Sequence, residues 1–269
     1  MGPGAVLQAE AEQEMERAAR QLARPGEERH QGIHQARKSI RRVRALLALG
    51  GPRFSAVPAV KRLDASLRSL CRGLSALRDA DALRDALLHL SRDAVIGPIE
   101  CERLCAFVAV VRARRLAAAL ARDPDFARRR ERLQQLQARL PRLPWAQVRM
   151  ADIDAASLLS KKRLRKALKR ARGRADAEAW HTLRRRLRRL RQQENALVRV
   201  LPEAAQPSAG IADLADRMGR AQDHALLLAR CRRSGVFPAR DRAMLRRLVE
   251  PLYREALDHA AAALEATSA

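Results

Sequence analysis

The segment His34-Gln-Ala-Arg37-Lys38-Ser-Ile-Arg41-Arg42-Val-Arg44 recurs 147 residues later as His181-Thr-Leu-Arg184-Arg185-Arg186-Leu-Arg188-Arg189-Leu-Arg191. Both copies have the pattern H-x-x-R-[KR]-x-[IL]-R-R-[VL]-R. With about 3.6 residues per turn, the basic positions at +3, +4, +7, +8 and +10 lie within roughly 80° of the histidine, and the apolar positions collect on the opposite side. The sequence therefore predicts two cationic amphipathic helices.

Each copy is expected to bury one face. The apolar residues are Ile33, Ala36, Ile40, Val43 and Leu47 in the first copy, and Trp180, Leu183, Leu187, Leu190 and Leu201 in the second. The basic faces, here called the first stripe and the second stripe, are His34, Arg37, Lys38, Arg41, Arg42 and Arg44, and His181, Arg184, Arg185, Arg188, Arg189 and Arg191. Like charges one turn apart repel each other by roughly 0.2 to 0.5 kcal/mol. A charge run is more often a solvated helix face, but the recurrence of the same layout favours a polyanionic ligand.

Composition supports a folded, strongly basic protein. The 269 residues carry a net charge of +25 and are 47% hydrophobic, which is enough apolar material for one large or two small cores. Of the 55 basic residues, 49 are Arg, the side chain best suited to bidentate contact with phosphate. Such a charge attracts nucleic acid, anionic membranes or other polyanions.

Cysteine spacing and hydropathy bear on metal binding, secretion and membrane insertion. Cys71, Cys101, Cys105 and Cys231 form no C-x-x-C pair, so reduced, packed thiols are expected and a zinc site is not. The first 25 residues contain several Glu and no apolar run, and no stretch reaches the roughly 18 apolar residues of a membrane span. We therefore expect no signal peptide, no membrane segment and a cytoplasmic location.

The sequence is typical of an all-α protein, because Ala, Leu, Arg, Glu and Gln dominate and Pro or Gly separates long periodic segments. Helices are predicted at residues 5–22, 28–49, 57–92, 98–121, 125–139, 155–172, 177–200, 209–232 and 239–266. The break before the last helix is predicted at Ser234-Gly235.

The duplication extends beyond the basic helices. Arg78-Asp79-Ala80-Asp81 follows the first copy and Gln222-Asp223 follows the second, with 144 residues between Asp79 and Asp223. This repeat predicts two similar antiparallel four-helix bundles, residues 1–140 and 141–269, related by a pseudo-two-fold axis. Such an axis would bring the two stripes together around a basic central cavity.

A third group of cations precedes the second copy, with Lys162, Lys166 and Lys169 on the outward face of a helix. From Lys161 to Arg191 there are fifteen basic residues and two acidic ones, and residues 29–63 contain no acid. No carboxylate close in sequence can therefore neutralise the stripes.

The two basic helices, the Arg78-Asp79-x-Asp81 turn and its Gln222-Asp223 counterpart resemble the conserved histidine α-helical domain (CHAD) family over roughly residues 7–264. The resemblance implies two four-helix bundles around a basic cavity and binding of inorganic polyphosphate, and it suggests docking on polyphosphate granules. By motif position, the residues of both stripes would contact the ligand, with Lys162, Lys166 and Lys169 in support. The chain departs from the family at Gln192-Gln193, where relatives often have a Tyr.

Some family members follow a triphosphate-cleaving tunnel domain that opens with a Glu-x-Glu-x-Lys strand. Glu10-Ala-Glu12-Gln-Glu14 has a superficially similar pattern but lacks the Lys, and the sequence offers no second carboxylate cluster for Mg²⁺. We interpret these glutamates as a solvated helix N-terminus, where negative charge suits the helix dipole.

Other functions stay open from the residues alone. Binding of a nucleic-acid backbone without sequence preference is the principal alternative, because counterion release favours any polyanion, although seven aromatic residues offer few platforms for stacking bases. No enzyme, catalytic residue, metal or cofactor is expected, because the sequence shows no metal site or glycine-rich phosphate cradle. A membrane-surface role is disfavoured, since the apolar faces are needed for the cores. The sequence does not indicate an oligomeric state.

Histidines and aspartates near the stripes have expected auxiliary roles. An imidazole beside phosphate has a raised pKa, so His34 and His181 predict tighter binding as the pH falls. His30 is expected to face solvent. Asp79, Asp81 and Asp223 are expected to pair with stripe arginines or to orient a histidine, rather than to bind a metal.

Overall fold

A computed structural model describes residues 2–174, 177–205, 208, 210–232 and 236–266. Within these residues the regular structure is helical and contains no strand, which confirms the all-α class. The α-helices are α1 (Pro3–Leu22), α2 (Arg29–Leu49), α3 (Gly51–Ala56), α4 (Pro58–Gly73), α5 (Ser75–Arg92), α6 (Pro98–Arg122), α7 (Ala127–Gln137), α8 (Met150–Arg174), α9 (Ala177–Val200), α10 (Ile211–Cys231) and α11 (Ala239–Ala266). The predicted break at Ser234-Gly235 lies outside the described residues.

The single helix predicted over residues 57–92 is wrong, because the structure divides it into α4 and α5 at Leu74. Gly73 is a weak helix former, and a side chain from α2 forms hydrogen bonds at the last turn of α4. The Arg37 guanidinium donates hydrogen bonds to the Cys71 carbonyl and to Ser75 Oγ, the latter at 2.8 Å. A cation at a helix C-terminus satisfies free carbonyls and suits the dipole.

The starts of α8 and α7 differ from the prediction for local reasons. α8 begins at Met150 because the Asp152 carboxylate accepts a 3.0 Å hydrogen bond from the Arg149 backbone N–H, closing the first turn. α7 begins only at Ala127, since Asp125 and Phe126 have left-handed φ angles of 48° and 55°. The bounds predicted for α9 are confirmed.

The chain forms two compact units, each made of two chain segments. Unit 1 comprises residues 1–75 and 122–208 and contains α1 to α4 and α7 to α9. Unit 2 comprises residues 76–121 and 209–269 and contains α5, α6, α10 and α11. Both copies of the basic motif therefore lie in unit 1. Because each unit draws on both halves of the sequence, the division at 140/141 and the pseudo-two-fold axis stay predictions about the repeat.

The core of unit 1 is built on the apolar faces of the basic helices. α1 packs along α2, α8 packs along α9, and α2 contacts α9. All ten residues predicted for the two apolar faces are buried. Phe54 and Trp145 extend the core with ring centroids 4.8 Å apart. This packing fixes which way each stripe faces.

Unit 2 has its own core, in which α10 packs against α11. Cys101 and Cys231 are buried and unbridged, as predicted. Burial raises the pKa of Cys231 to about 11, and burial together with the neighbouring Cys101 raises the pKa of Cys105 to about 11. These thiols are therefore poor nucleophiles at neutral pH. In the described parts of both units, no helix has an apolar stretch long enough to cross a bilayer.

Candidate functional site

The two stripes meet where α2 contacts α9 in unit 1. The positive charge of Arg37 on α2 acts on Arg188 of α9. Two turns after Arg37 on α2, the Arg44 carbonyl accepts a 3.0 Å hydrogen bond from the Arg189 guanidinium. The shared motif thus places two rows of cations side by side.

Most stripe side chains are only partly exposed, although they are charged. The half-buried members are His34, Arg37, Lys38, Arg41, Arg42, Arg44, Arg184, Arg188, Arg189 and Arg191. His181 and Arg185 are exposed. Removing cations from water strengthens their interaction with any anion that reaches them. These two rows are therefore more than solvated helix faces.

Arg188 lies in the most strongly cationic surroundings. Burial, together with the charges of Arg184, Arg37 and Arg185, lowers the pKa of Arg188 to about 10. The side chain still carries its proton at neutral pH. In the part of the chain that the structure describes, Arg188 forms no ion pair with a carboxylate. A desolvated cation among like charges is costly until an anion neutralises it.

The next residues of the second copy share this environment. Burial lowers the pKa of Arg189 to about 10. The carboxylate of Asp64 opposes this shift, and the charges of Arg44, Arg186 and Arg163 add to it. Burial, Arg163 and Arg185 also lower the pKa of Arg186. Because Arg163 belongs to α8, the cationic field continues from α9 onto that helix.

The first stripe, in contrast, receives carboxylates from other helices. Glu14 of α1 pairs with Arg42 at 2.9 Å. Asp64 of α4 accepts two hydrogen bonds from Arg44, at 2.8 and 3.2 Å. The acid-free run in the sequence is therefore neutralised in part by acids distant in sequence. Sequence reasoning missed both partners.

The interpretation of residues 10–14 as a solvated helix N-terminus is wrong. Glu14 is 1% exposed, and Glu10 pairs with Arg199 at 2.6 Å. The helical period contained a signal for this burial, because Glu14 lies seven residues after Leu7 on the buried face of α1. An acid on an apolar face indicates an internal partner.

Asp64 is held ionised by its arginines. Burial alone would raise the pKa of the Asp64 carboxyl, but the hydrogen bonds and charge of Arg44, and the charges of Arg189 and Arg68, outweigh burial and lower it. Arg68 also contacts Asp64 at 3.2 Å. This carboxylate therefore joins α2, α4 and α9 through one charge cluster.

Opposing electrostatic effects act on the pKa of Lys38 in the first stripe. Burial and the charges of Arg42 and Arg41 lower its pKa, and Glu14 acts in the opposite direction. Lys38 is therefore a weaker base than an ordinary surface lysine. An anion that reached it would restore its preference for the charged form.

The supporting lysines predicted before the second copy lie on the outer face of α8. Lys162, Lys166 and Lys169 are exposed, and the opposite face of the helix is buried at Leu164 and Leu168. The expected orientation of this helix is confirmed. The lysines form a solvated surface, unlike the half-buried stripes.

Two auxiliary predictions concern histidines. Asp223 lies 3.6 Å from Nδ1 of His89, so an aspartate does face a histidine. Asp81 pairs with Arg112 at 2.7 Å, an arginine of α6 outside the two stripes. The expectation that His30 faces solvent is wrong, since it is 7% exposed. Among the described side chains, no group of three or more His, Cys, Asp or Glu could hold a metal ion.

Comparison with protein families gives one match, the CHAD domain, over residues 7–232. Comparisons with curated proteins and with solved structures gave no match. The matched range covers most of the chain and includes both copies of the basic motif, the Asp79–Asp81 turn and Asp223. The chain therefore belongs to the CHAD domain family.

Proposed function

We propose that the protein binds inorganic polyphosphate, without chemistry on the ligand, through the two stripes of unit 1. The observation that carries the proposal is Arg188, which is desolvated, surrounded by Arg37, Arg184 and Arg185, and without a carboxylate partner in the described part of the chain. Membership in the CHAD domain family supports the same ligand. Docking on polyphosphate granules is the biological consequence we propose.

The chemistry of the stripes suits a chain of phosphates without bases. Arginine forks bind phosphate oxygens in pairs, and lysine and histidine add single donors. Each hydrogen bond to a charged group contributes a net of about 1.5 to 3 kcal/mol. A bound polyphosphate would also relieve the repulsion among Arg37, Arg184 and Arg188. The ligand would thus gain both direct contacts and the removal of an existing cost.

The exposed lysines of α8 favour a second candidate, the backbone of double-stranded nucleic acid. Lys162, Lys166 and Lys169 are accessible from solvent, and backbone binding depends on counterion release rather than on enclosure. Competition between long-chain polyphosphate and duplex DNA at one fixed salt concentration separates the candidates. Our proposal expects polyphosphate to displace the duplex, and the reverse would favour nucleic acid.

The site is tested by reversing charge at its centre. We expect the variant Arg37→Glu/Arg41→Glu/Arg184→Glu/Arg188→Glu to lose at least about 100-fold in affinity for long-chain polyphosphate, measured by isothermal titration calorimetry. The control carries the same change in net charge at the exposed unit 1 residues Arg53, Arg62, Arg139 and Arg142. Circular dichroism checks that both variants keep their helices. Equal affinity in the two variants would overturn the assignment.

A further inference from the structure

Glu14 is a buried carboxylate that is only half satisfied. Its side chain is 1% exposed. Oε1 accepts hydrogen bonds from Arg17 at 2.8 Å and from Arg42 at 2.9 Å. Oε2 is also buried and has no hydrogen-bond partner. A buried ionised carboxylate normally has its oxygens paired, because an unpaired one keeps its desolvation cost.

Asp64 provides a comparison within the same unit. Its Oδ1 accepts from Arg44, and its Oδ2 accepts from Arg44 and from Arg68. Both oxygens are therefore used, as expected of an ion pair that holds helices together. Glu14 differs from Asp64 because one of its two carboxylate oxygens has no hydrogen-bond partner.

Glu14 acts on two adjacent positions of the first stripe. Lys38 and Arg42 are one turn apart on α2, so their side chains lie on the same face. Glu14 bonds directly to Arg42, and its charge also acts on Lys38. A single carboxylate thus acts on both of the cations that phosphate oxygens would contact here.

The matching positions of the second copy are Arg185 and Arg189. Arg185 is exposed, and its guanidinium donates to the neutral hydroxyl of Thr182 at 3.3 Å. Arg189 donates to a backbone carbonyl. Neither hydrogen bond uses a carboxylate, although the charge of Asp64 acts on Arg189. The carboxylate contact at Arg42 is therefore a difference between the copies and not a property of the shared motif.

We propose that Glu14 is a specificity-determining residue, an internal anion that competes with the ligand for Arg42 and Lys38 and directs polyphosphate toward Arg37, Arg184 and Arg188. The inference rests on the proposed function. It separates the stripe residues that bind the ligand strongly from those that pair within the protein. Arg42 is paired with an anion, whereas the hydrogen bonds of Arg37 go to neutral oxygens, the Cys71 carbonyl and Ser75 Oγ. Arg37 and the second stripe therefore supply the contacts that bind most strongly.

The substitution Glu14→Gln tests the competition, because it keeps the shape of the side chain and removes its charge. We expect the affinity for long-chain polyphosphate to rise about 3- to 10-fold at low salt. We also expect the dependence of log Kd on log salt to steepen by about one, since each further neutralised phosphate adds about one counterion. A merely structural role for Glu14 would not steepen this dependence.

The matched control is Glu16→Gln, two residues along the same helix. Glu16 is exposed and forms a loose 3.6 Å pair with Arg20, so this variant makes the same change in net charge without releasing a stripe cation. Its salt dependence should equal that of the unmodified protein. An equal increase in affinity in both variants would overturn the inference and indicate a general effect of net charge.

A second variant keeps the test valid if Glu14→Gln does not fold. We expect Arg42→Gln to weaken binding by less than about 3-fold, and Arg188→Gln to weaken it at least 10-fold. In the double variant Glu14→Gln/Arg42→Gln the gain from Glu14→Gln should shrink to the part that comes from Lys38, and a double-mutant cycle measures this coupling. Equal losses for Arg42→Gln and Arg188→Gln would contradict the inference. Absence of polyphosphate binding by the unmodified protein would instead refute the proposed function.

Discussion

The helices α2 and α9 carry the same motif, yet their charges have different surroundings. On α2, Arg42 and Arg44 pair with carboxylates from α1 and α4, and Arg37 binds the end of α4. On α9, burial and neighbouring arginines lower the pKa of Arg188 to about 10. Burial also lowers the pKa of Arg189 to about 10, although the charge of Asp64 opposes this effect. The helices packed against a motif therefore decide which of its cations are available to a ligand.

The largest expected effect is on the free energy of unfolding and comes from Asp64, the carboxylate that pairs with Arg44 of the first stripe. Replacing Asp64 by Asn leaves Arg44, Arg68 and Arg189 without their shared anion, and breaking a buried ion pair typically costs about 3 to 5 kcal/mol. Because Asp64 is 22% exposed, we expect a loss of about 2 to 4 kcal/mol in the free energy of unfolding, measured with urea.

The control for Asp64→Asn is Asp213→Asn, which removes an exposed pair with Arg217 and should cost less than about 0.5 kcal/mol. Since the folded pKa of Asp64 is below its ordinary value, its contribution is present at neutral pH. The contribution is lost as the pH falls below the ordinary value toward the lowered one. Equal stability of the two variants would contradict the structural role of this cluster.

The second effect separates the stripes in binding. Arg188→Gln removes hydrogen bonds to phosphate that contribute about 1.5 to 3 kcal/mol, so we expect a 10- to 100-fold increase in Kd for polyphosphate at low salt. Arg44→Gln should change Kd far less, since Asp64 already holds Arg44. Titration calorimetry of both variants at one salt concentration checks this. A greater loss for Arg44→Gln would reverse the roles of the two helices.

The third effect is a gain in stability, whereas the first two effects are losses of stability and of affinity. Without ligand, Arg188→Gln should stabilise the protein, because it removes a desolvated charge from a cluster of arginines. The lowering of the Arg188 pKa from its ordinary value to about 10 corresponds to roughly 3 kcal/mol at about 1.4 kcal/mol for each tenfold change. We expect a gain of about 1 to 3 kcal/mol in urea unfolding of the ligand-free protein. Destabilisation would mean that Arg188 has a structural partner.

The smallest effect concerns the two histidines. Protonated imidazoles beside phosphate should make binding about 2- to 5-fold tighter at pH 6 than at pH 8. The double variant His34→Gln/His181→Gln should lose this difference, and Arg53→Gln, at an exposed position, should retain it. Equal affinity of the unmodified protein at the two pH values would remove the histidines from the ligand contacts.

Periodicity was sufficient for the features that depend on local sequence. It predicted the bounds of α9 and the burial of both apolar faces. It could not predict that Glu14 and Asp64 reach the first stripe, because these contacts depend on how α1 and α4 pack against α2. The break at Leu74 was missed for the same reason, since it depends on a hydrogen bond that Arg37 of another helix donates to the Cys71 carbonyl. The desolvation of Arg188 likewise arises only when the two helices meet.

The most direct test of the central claim is a crystal structure with bound polyphosphate. We predict phosphate groups in contact with Arg37, Arg184 and Arg188, while the pair between Glu14 and Arg42 stays intact. Phosphate groups found only along Lys162, Lys166 and Lys169 of α8, with Arg37 and Arg188 uncontacted, would contradict this account.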